Sequence, residues 1–216
     1  MYIPKKFQQD NIKELVATMR QYPFATVVLH TDEGLEAFHL PVIVEQEDER
    51  LFLQAHIAKA NSIWKKVQSG AEVLVIFNGP NCYVSPNHYP TKAEHGRAVP
   101  TWDYVVVHVK GSLSFIHDPD RIYTIIDKLT TEHEAASVQP WSMSDAPADY
   151  IQKMLPAIVG VEIEVNSRVG QWKLSQNQPD VNQQGVVDGL ISLDTPESKN
   201  IAALVKAQMK TSNMND

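Results

Sequence analysis

Apolar positions along the chain change period several times, and each change predicts an element. Leu15 and Met19 share a helical face after Asp10 and Asn11, either of which can cap a short helix that Tyr22-Pro23 ends. Residues 24–30 are rich in β-branched side chains and lead into the turn signal Asp32-Glu33-Gly34. Residues 35–44 follow as a second strand, in which Pro41 marks a bulge or an edge position. Residues 46–50 read as a charged turn and residues 51–56 as a third strand, so the three strands make an antiparallel meander. Residues 58–68 read as a helix, with Ala60, Ile63, Trp64 and Val67 at i, i+3, i+4 and i+7. A near-continuous apolar strand, 72–77, meets the turn signal Asn78-Gly79-Pro80-Asn81, and residues 82–85 return from it.

Further along, residues 102–116 alternate as a long strand, with Gly111 as a bend or bulge. Asp118-Pro119 starts a helix whose stripe is Ile122, Ile125, Ile126 and Leu129. Residues 136–146 are irregular. Asp145-Ala146-Pro147 opens another helix carrying Ile151, Met154 and Leu155, which Pro156 ends or kinks. Residues 158–165 and 169–174 are the last strands. The remainder is helical, with breaks at Gly185, Gly189 and Pro196 and a final stripe of Ile201, Leu204, Val205 and Gln208. Sequential strands without β-α-β alternation argue for a mainly β protein, an antiparallel barrel with peripheral helices. One domain over residues 1–216 is expected, its core reaching about 178 and a helical tail covering about 179–216.

The stretch from 83 to 104 fits no period. It holds Pro86, Pro90 and Pro100, four aromatics, His88, His95, Lys92, Glu94 and Arg97. Long ordered loops often carry function, and aromatic and charged groups together suit a pocket wall. A surface excursion held by its own prolines is the plainer reading.

Composition narrows the chemistry. The formal net charge of -7 repels phosphate backbones, and no basic recognition helix stands out, so direct DNA binding is not expected. A single cysteine, Cys82, excludes a disulfide framework and a cysteine-rich zinc site. No apolar signal segment or membrane-length apolar run is present, so a cytoplasmic protein with no membrane contact is expected. There is no glycine-rich dinucleotide fingerprint, phosphate loop or marked nucleophile. His88 and His95 with Glu94 lack the spacing of a metal motif, and no metal is expected.

Three segments permit more. Residues 54–61 pass from strand to helix, where free N–H groups could hold a phosphate beside Lys59, with His56 and Asn61 adding hydrogen-bonding groups. The plain alternative is a solvated lysine and a capping asparagine. Pro41 lacks an N–H, so the ladder around His39 and Leu40 must open, or the proline sits on an edge. Trp172, Lys173 and Gln176 could cover a flat ring and its polar rim, or Trp172 could be core beneath a solvated lysine.

In combination these segments resemble a known family. The residues that carry the resemblance are 1–7, Phe38-His39-Leu40-Pro41, His56-Ile57-Ala58-Lys59-Ala60-Asn61, Trp64, Tyr83-Val84-Ser85-Pro86 and 89–97. It continues through Val99-Pro100-Thr101-Trp102, Ala146-Pro147-Ala148-Asp149-Tyr150, Ile158-Val159-Gly160 and residues 172–177. The chain resembles the FMN-binding negative transcriptional regulators, the PaiB-like family, within the flavin-binding split barrels related to pyridoxamine phosphate oxidase. The resemblance implies a six-stranded antiparallel split barrel and a homodimer with FMN near its interface. It places Lys59 and Asn61 on the phosphate with His56 close by, and His39, Leu40 and Pro41 along the ring. Trp172, Lys173 and Gln176 would come from the partner subunit. Tyr89, Lys92, His95, Arg97 and Trp102 are candidates for meeting whatever approaches the flavin. Lys59 stands where the family often has arginine, which keeps the charge and loses the bidentate fork.

The implied function is an FMN-binding module with a regulatory, transcription-related and indirect output. The alternatives are a flavin-dependent oxidoreductase acting on a small molecule, with NAD(P)H as a candidate donor, and a haem-binding split barrel. No residue is named catalytic.

Overall fold

Ala25, Val27, Leu29 and Thr31 are buried while the residues between them are not, so the segment from Phe24 to Thr31 packs one face on a core. That period-two burial is the mark of a strand. The computed structural model describes residues 1–212 of the chain, and residues 213–216 of the expected tail lie outside the described residues. In order, the elements are β1 Gln8–Gln9, α1 Ile12–Gln21, β2 Phe24–Thr31, β3 Gly34–Pro41, β4 Ile43–Glu47, β5 Arg50–Ala58, α2 Ile63–Lys66 and β6 Ala71–Val84. Next are α3 Lys92–His95, β7 Thr101–Ile116, α4 Pro119–Glu134, α5 Ala148–Met154, β8 Ile158–Lys173, α6 Asp180–Ser192 and α7 Pro196–Ser212. The strands form one sheet in the order β3-β2-β6-β7-β8-β5-β4, with β1 on β8. The pairs β2–β3, β2–β6, β4–β5, β5–β8 and β1–β8 are antiparallel.

The mainly β, antiparallel class read from the sequence is the class observed. The strand count is eight rather than six, and the differences are local. The expected strand over 35–44 splits at Val42, whose N–H donates to Pro23 O at 3.0 Å. Consequently β3 and β4 lie at opposite ends of the strand order, and the meander becomes two hairpins. Pro41 ends the edge strand β3, the place where a missing N–H is tolerated. The turn expected at Asn78-Gly79-Pro80-Asn81 is absent, and β6 runs straight through it. An Asn-Gly turn needs glycine at positive φ. Gly79 is instead pressed against β7, where an added Cβ would stand 3.0 Å from Val105 Cβ. The two strands expected over 158–165 and 169–174 are one, β8.

The expected helix over 58–68 shrinks to the single turn α2. The ladder takes its first residues, because β5 pairs with β8 as far as Ala58 opposite Ile158. Lys59 N–H then donates to Ala157 O at 2.7 Å, and Val67 is already extended.

Contacts divide the chain into two compact units. One comprises Val16–Phe77 and His108–Arg168. Its helical layer is α4, capped by Asp118 Oδ1, which accepts from Arg121 N–H at 2.9 Å, with Pro119 in the first turn. Ile122, Ile125 and Leu129 bury against Ile43 and Ile116, each worth roughly 1.5–3 kcal/mol.

The other unit comprises Met1–Leu15, Asn78–Val107 and Val169–Asp216. Its core joins Val84, Tyr89, Val105 and Leu174 to Val186, Leu190, Ile201 and Val205 of α6 and α7. The aperiodic stretch after Val84 is ordered by α6. Asn182 Nδ2 donates to Thr91 Oγ1 at 3.0 Å, and Thr91 N–H donates to Asn182 Oδ1 at 3.3 Å. The breaks expected at Gly185 and Gly189 are absent; α6 runs through both, and the two glycines let it touch this stretch. A Cβ on Gly185 would collide with His88 O and stand 2.6 Å from Pro90 Cδ, and one on Gly189 would stand 2.5 Å from His88 Cγ.

Gly189→Ala therefore opposes helix propensity to packing. On an open helix it would stabilise by about 1 kcal/mol. Here overpacking against His88 is expected to lower stability by about 1–3 kcal/mol in urea denaturation; a stabilised variant would show that α6 does not grip His88.

Candidate functional site

Strand pairing and one tight turn position the first group of candidates. His39 lies near the end of β3, where its Nδ1 and Thr26 Oγ1 are 3.0 Å apart and its ring stands 6.0 Å from that of Phe24. Leu40 turns its side chain into the core, so its backbone opposite Ala25 is what it contributes to this strand end. His56 sits on β5 opposite Gly160. Its Nδ1 is buried with no hydrogen-bond partner, and burial holds the imidazole below its ordinary pKa.

The turn after β5 has the free donors. Lys59 is exposed, and its ammonium meets no partner among the described residues. Its carbonyl accepts from Trp64 Nε1 at 2.9 Å, which fixes the turn. Asn61 N–H donates to Ala58 O, and Asn61 Oδ1 accepts from Ile63 N–H at 3.1 Å. The backbone N–H groups of Ala60 and Ser62 make no hydrogen bond among the described residues. One helical turn carries little dipole, so the helix-terminus contribution expected from the sequence is small. Successive free N–H groups beside a cation still form an anion-binding concavity. The turn with its orphan imidazole thus fits a cofactor that bears a phosphate.

The candidates at the end of β8 are already engaged within their own unit. Lys173 Nζ donates to Thr101 Oγ1 and to Trp102 O, each at 2.6 Å, and lies 3.5 Å from Asp103 Oδ1. Ser175 Oγ donates to Asp103 Oδ2 at 2.6 Å. Gln176 Nε2 donates to Trp172 O at 2.6 Å, and Gln176 Oε1 accepts from Leu174 N–H at 2.7 Å. Trp172 is half-buried, packed on the core of α6 and α7. Asp103 is wholly buried, and burial raises its carboxyl pKa against the pull of Ser175 and Lys173. Neither Asp103 nor Ser175 was singled out from the sequence. The signal was present: Asp103 falls in register with Val105, Val107 and Val109 on the inward face of a strand, where a carboxylate must find a partner.

The candidates of the 83–104 stretch do not converge. Tyr89 is buried, and burial raises the pKa of its phenol. It shares a cleft of about 150 Å³ with Thr101, Lys173, Ser175 and Asn177. Trp102 lines a separate cleft of about 290 Å³ with Asn78, Asn81 and Tyr104, and its Nε1 donates to Asn81 Oδ1 at 3.1 Å. Lys92 Nζ donates to Asn87 Oδ1 at 2.5 Å, and His95 Nδ1 accepts from Arg97 N–H at 3.0 Å. The Arg97 side chain has no partner among the described residues. Among those residues no group of three or more His, Cys, Asp or Glu is placed to hold a metal ion, and no helix is long and apolar enough to cross a membrane.

Comparison with known proteins gives the context. Residues 1–167 match a family described as "Putative FMN-binding domain". The chain is 29% identical over 211 residues to the protease synthase and sporulation protein PAI 2 of Bacillus subtilis, spanning 97% of this chain and 99% of that one. An uncharacterized protein of Emericella nidulans is 30% identical over 242 residues, spanning 95% and 96% of the two chains. Among solved structures, the FAD and heme binding protein from Mycobacterium smegmatis superposes with a TM-score of 0.54 at 16% identity, over 84% of this chain and 80% of that one. The flavocytochrome from Azotobacter vinelandii gives 0.53 at 11% identity, over 79% and 72%. At these identities the structural likeness establishes the shared split-barrel fold.

Two outcomes follow from the buried ionisable groups. Asp103→Asn removes the ion pair with Lys173, which keeps its bonds to Thr101 and Trp102, and is expected to lose about 2 kcal/mol in urea denaturation; a variant as stable as the parent would show that the Lys173–Asp103 contact contributes nothing. His56, held neutral by burial, binds its proton more weakly folded than unfolded. Its stabilising effect is therefore complete above the unfolded value of about 6.5 and is lost as pH falls through the folded one. His56→Asn should flatten the fall of the urea midpoint between about pH 7 and 5, and an unchanged slope would assign that fall to other groups.

Proposed function

The chain belongs to the FMN-binding domain family that its residues 1–167 match, and from that premise we propose that it is a homodimeric FMN-binding split barrel of the PaiB-like type with a regulatory output. The observation that carries the reading is at the end of β5 and the turn after it: among the described residues, the Lys59 ammonium, the N–H groups of Ala60 and Ser62 and the Nδ1 of His56 have no partner. Lys59 and Asn61 hold the phosphate, with His56 beside them. His39, Leu40 and Pro41 lie along the ring. Trp172 closes the site from the partner subunit, its carbonyl accepting from Gln176 Nε2. FMN when bound supplies one- and two-electron redox chemistry, while the protein orients it and limits water.

The regulatory output is read as transcription-related and indirect. A net charge of -7 disfavours approach to nucleic acid, so an effect on transcription would pass through the flavin's state or another protein. The competing reading, a flavin-dependent oxidoreductase supplied by NAD(P)H, shares the same cofactor site. The exposed Arg97 guanidinium, which has no partner among the described residues, suits a donor's phosphates. Haem in place of flavin is separated by the absorption spectrum.

Lys59→Ala is expected to weaken FMN binding about tenfold in a fluorescence titration, the loss of one charge-assisted hydrogen bond. Unchanged affinity would remove the phosphate from this turn. Light scattering should find a dimer whose flavin retention falls on dilution, as linkage requires of a shared site. NADPH oxidation by the FMN-loaded protein would transfer the reading to the oxidoreductase.

A further inference from the structure

A cleft in the unit built from residues 16–77 and 108–168 involves none of the residues assigned to flavin. It lies between α4 and the segment running from Met143 to Leu155, and encloses about 490 Å³. That is within the range of small-molecule pockets, which are mostly apolar with a few placed polar groups. The apolar surface comes from Met143, which is buried, together with Ala146, Ile151 and Leu155. The polar groups are Asp120, Tyr123 and Gln152, with Ser144.

We propose that this cleft binds a small organic cation, a protonated amine carrying an aromatic or aliphatic body. Three observations select that class. First, Asp120 is the carboxylate of the lining, and its oxygens accept no hydrogen bond among the described residues. Neither do the Tyr123 hydroxyl and the Gln152 amide have a partner there. Asp120 and Tyr123 are three apart on α4 and so share a face, which sets a carboxylate beside an open aromatic ring. An ammonium can meet both at once, as ion pair and cation–π contact.

Second, no basic residue lines the cleft, and the cations near it in sequence are engaged elsewhere. Arg121 is held by Glu162 at 3.0 Å, Lys153 by Asp149 at 3.0 Å, and Lys128 by Glu45 at 2.6 Å. Asp120 is then the one charged side chain of the lining, which disfavours nucleotides, phosphates and carboxylates. The apolar floor disfavours inorganic ions and sugars, which offer nothing to bury against it.

Third, the wall is built in advance. Ser142 N–H donates to Asp145 Oδ2 at 2.8 Å, Ser142 Oγ and Ser144 Oγ are 2.7 Å apart, and Tyr150 N–H donates to Pro147 O at 3.0 Å. These bonds fix the turn that presents Ala146 and Ala148, so little ordering is needed when a ligand enters. Both are small, and larger side chains at either place would fill the space. The Ala146-to-Tyr150 segment carries part of the family resemblance yet takes no part in the proposed flavin grip, and ligand binding gives it a use.

The test uses the full chain, with and without FMN, and three probes of one shape: 2-phenylethylamine, 2-phenylethanol and 3-phenylpropionate. Methyl NMR signals of Met143 and Ile151 report binding. The expected result is saturable shifts with the amine, affinity about tenfold weaker for the alcohol, and none for the carboxylate. Asp120→Asn, an exposed change on a capped helix, should bring amine and alcohol level. Ala148→Leu, with unfolding followed to confirm the fold, should abolish both. The proposal is overturned if the amine binds no better than the alcohol, if Asp120→Asn leaves that preference intact, or if Ala148→Leu binds as the parent does. It is also overturned if FMN displaces the probe, because the cleft would then belong to the flavin site. Loss of FMN binding in Lys59→Ala is a separate result and leaves these outcomes readable.

Discussion

A carboxylate with no exposed surface shapes one of the two units. Asp103 stands on the inward face of β7, and an unpaired charge there would be untenable, with a penalty of several kcal/mol. Lys173 and Ser175 resolve it from the end of β8. Burial still raises the pKa of the acid, so desolvation outweighs the two partners. Partnering Asp103 sets the path of the chain after β8. Ser175 adopts φ 60°, an uncommon conformation for a side-chain-bearing residue. Gln176 folds back onto the backbone of Trp172 and Leu174, and Pro179 then leads into α6. Once α6 is placed, Asn182, Gly185 and Gly189 order the stretch that carries His88 and Thr91. The proline-rich stretch therefore takes its shape from a helix that begins some ninety residues later, as the Thr91–Asn182 bond shows.

That dependence explains what the sequence revealed and what it hid. Helix α4 was legible because cap, proline and apolar stripe agree within one segment: Asp118, Pro119, then Ile122, Ile125 and Leu129. The strand read over 24–30 was legible because β-branched residues lead straight into the turn signal Asp32-Glu33-Gly34. Failures occurred where a distant partner decided. Ile63, Trp64 and Val67 keep helical spacing, yet the ladder with β8 claimed Ala58, Lys59 N–H went to Ala157 O, and one turn was left. Asn78-Gly79 carries a turn signal, yet Val105 lies where a glycine is required for close approach. Gly185 and Gly189 read as breaks because periodicity cannot show that His88 fills the groove they leave.

The candidate site divides along the same line. His39, Pro41, His56 and Lys59 could be read from local features: an edge proline, a strand end, a cation in a turn. Whether a cation is free could not. Lys59 and Lys173 look alike in sequence, each a lysine at a strand end. Among the described residues Lys59 has no partner, whereas Lys173 has three oxygens. That distinction, and not residue type, makes Lys59 the better candidate for a phosphate and Lys173 a fixture of the fold.

The shortness of α2 bears on how tightly such a phosphate could be held. A long helix would add a dipole, and an arginine would add a bidentate fork. This chain has neither at the turn. It has a point charge at Lys59, the N–H groups of Ala60 and Ser62, and a carbonyl braced by Trp64. Against an overall charge of -7, such a cradle is weak electrostatically and depends on geometry. Trp64 then matters more than its half-buried position suggests. Its indole N–H holds the Lys59 carbonyl, and its ring meets His117 edge-on at 5.2 Å. Removing that brace frees the turn without touching any phosphate-binding atom. The anion site proposed for this turn would thus rest on an aromatic residue that never meets the anion.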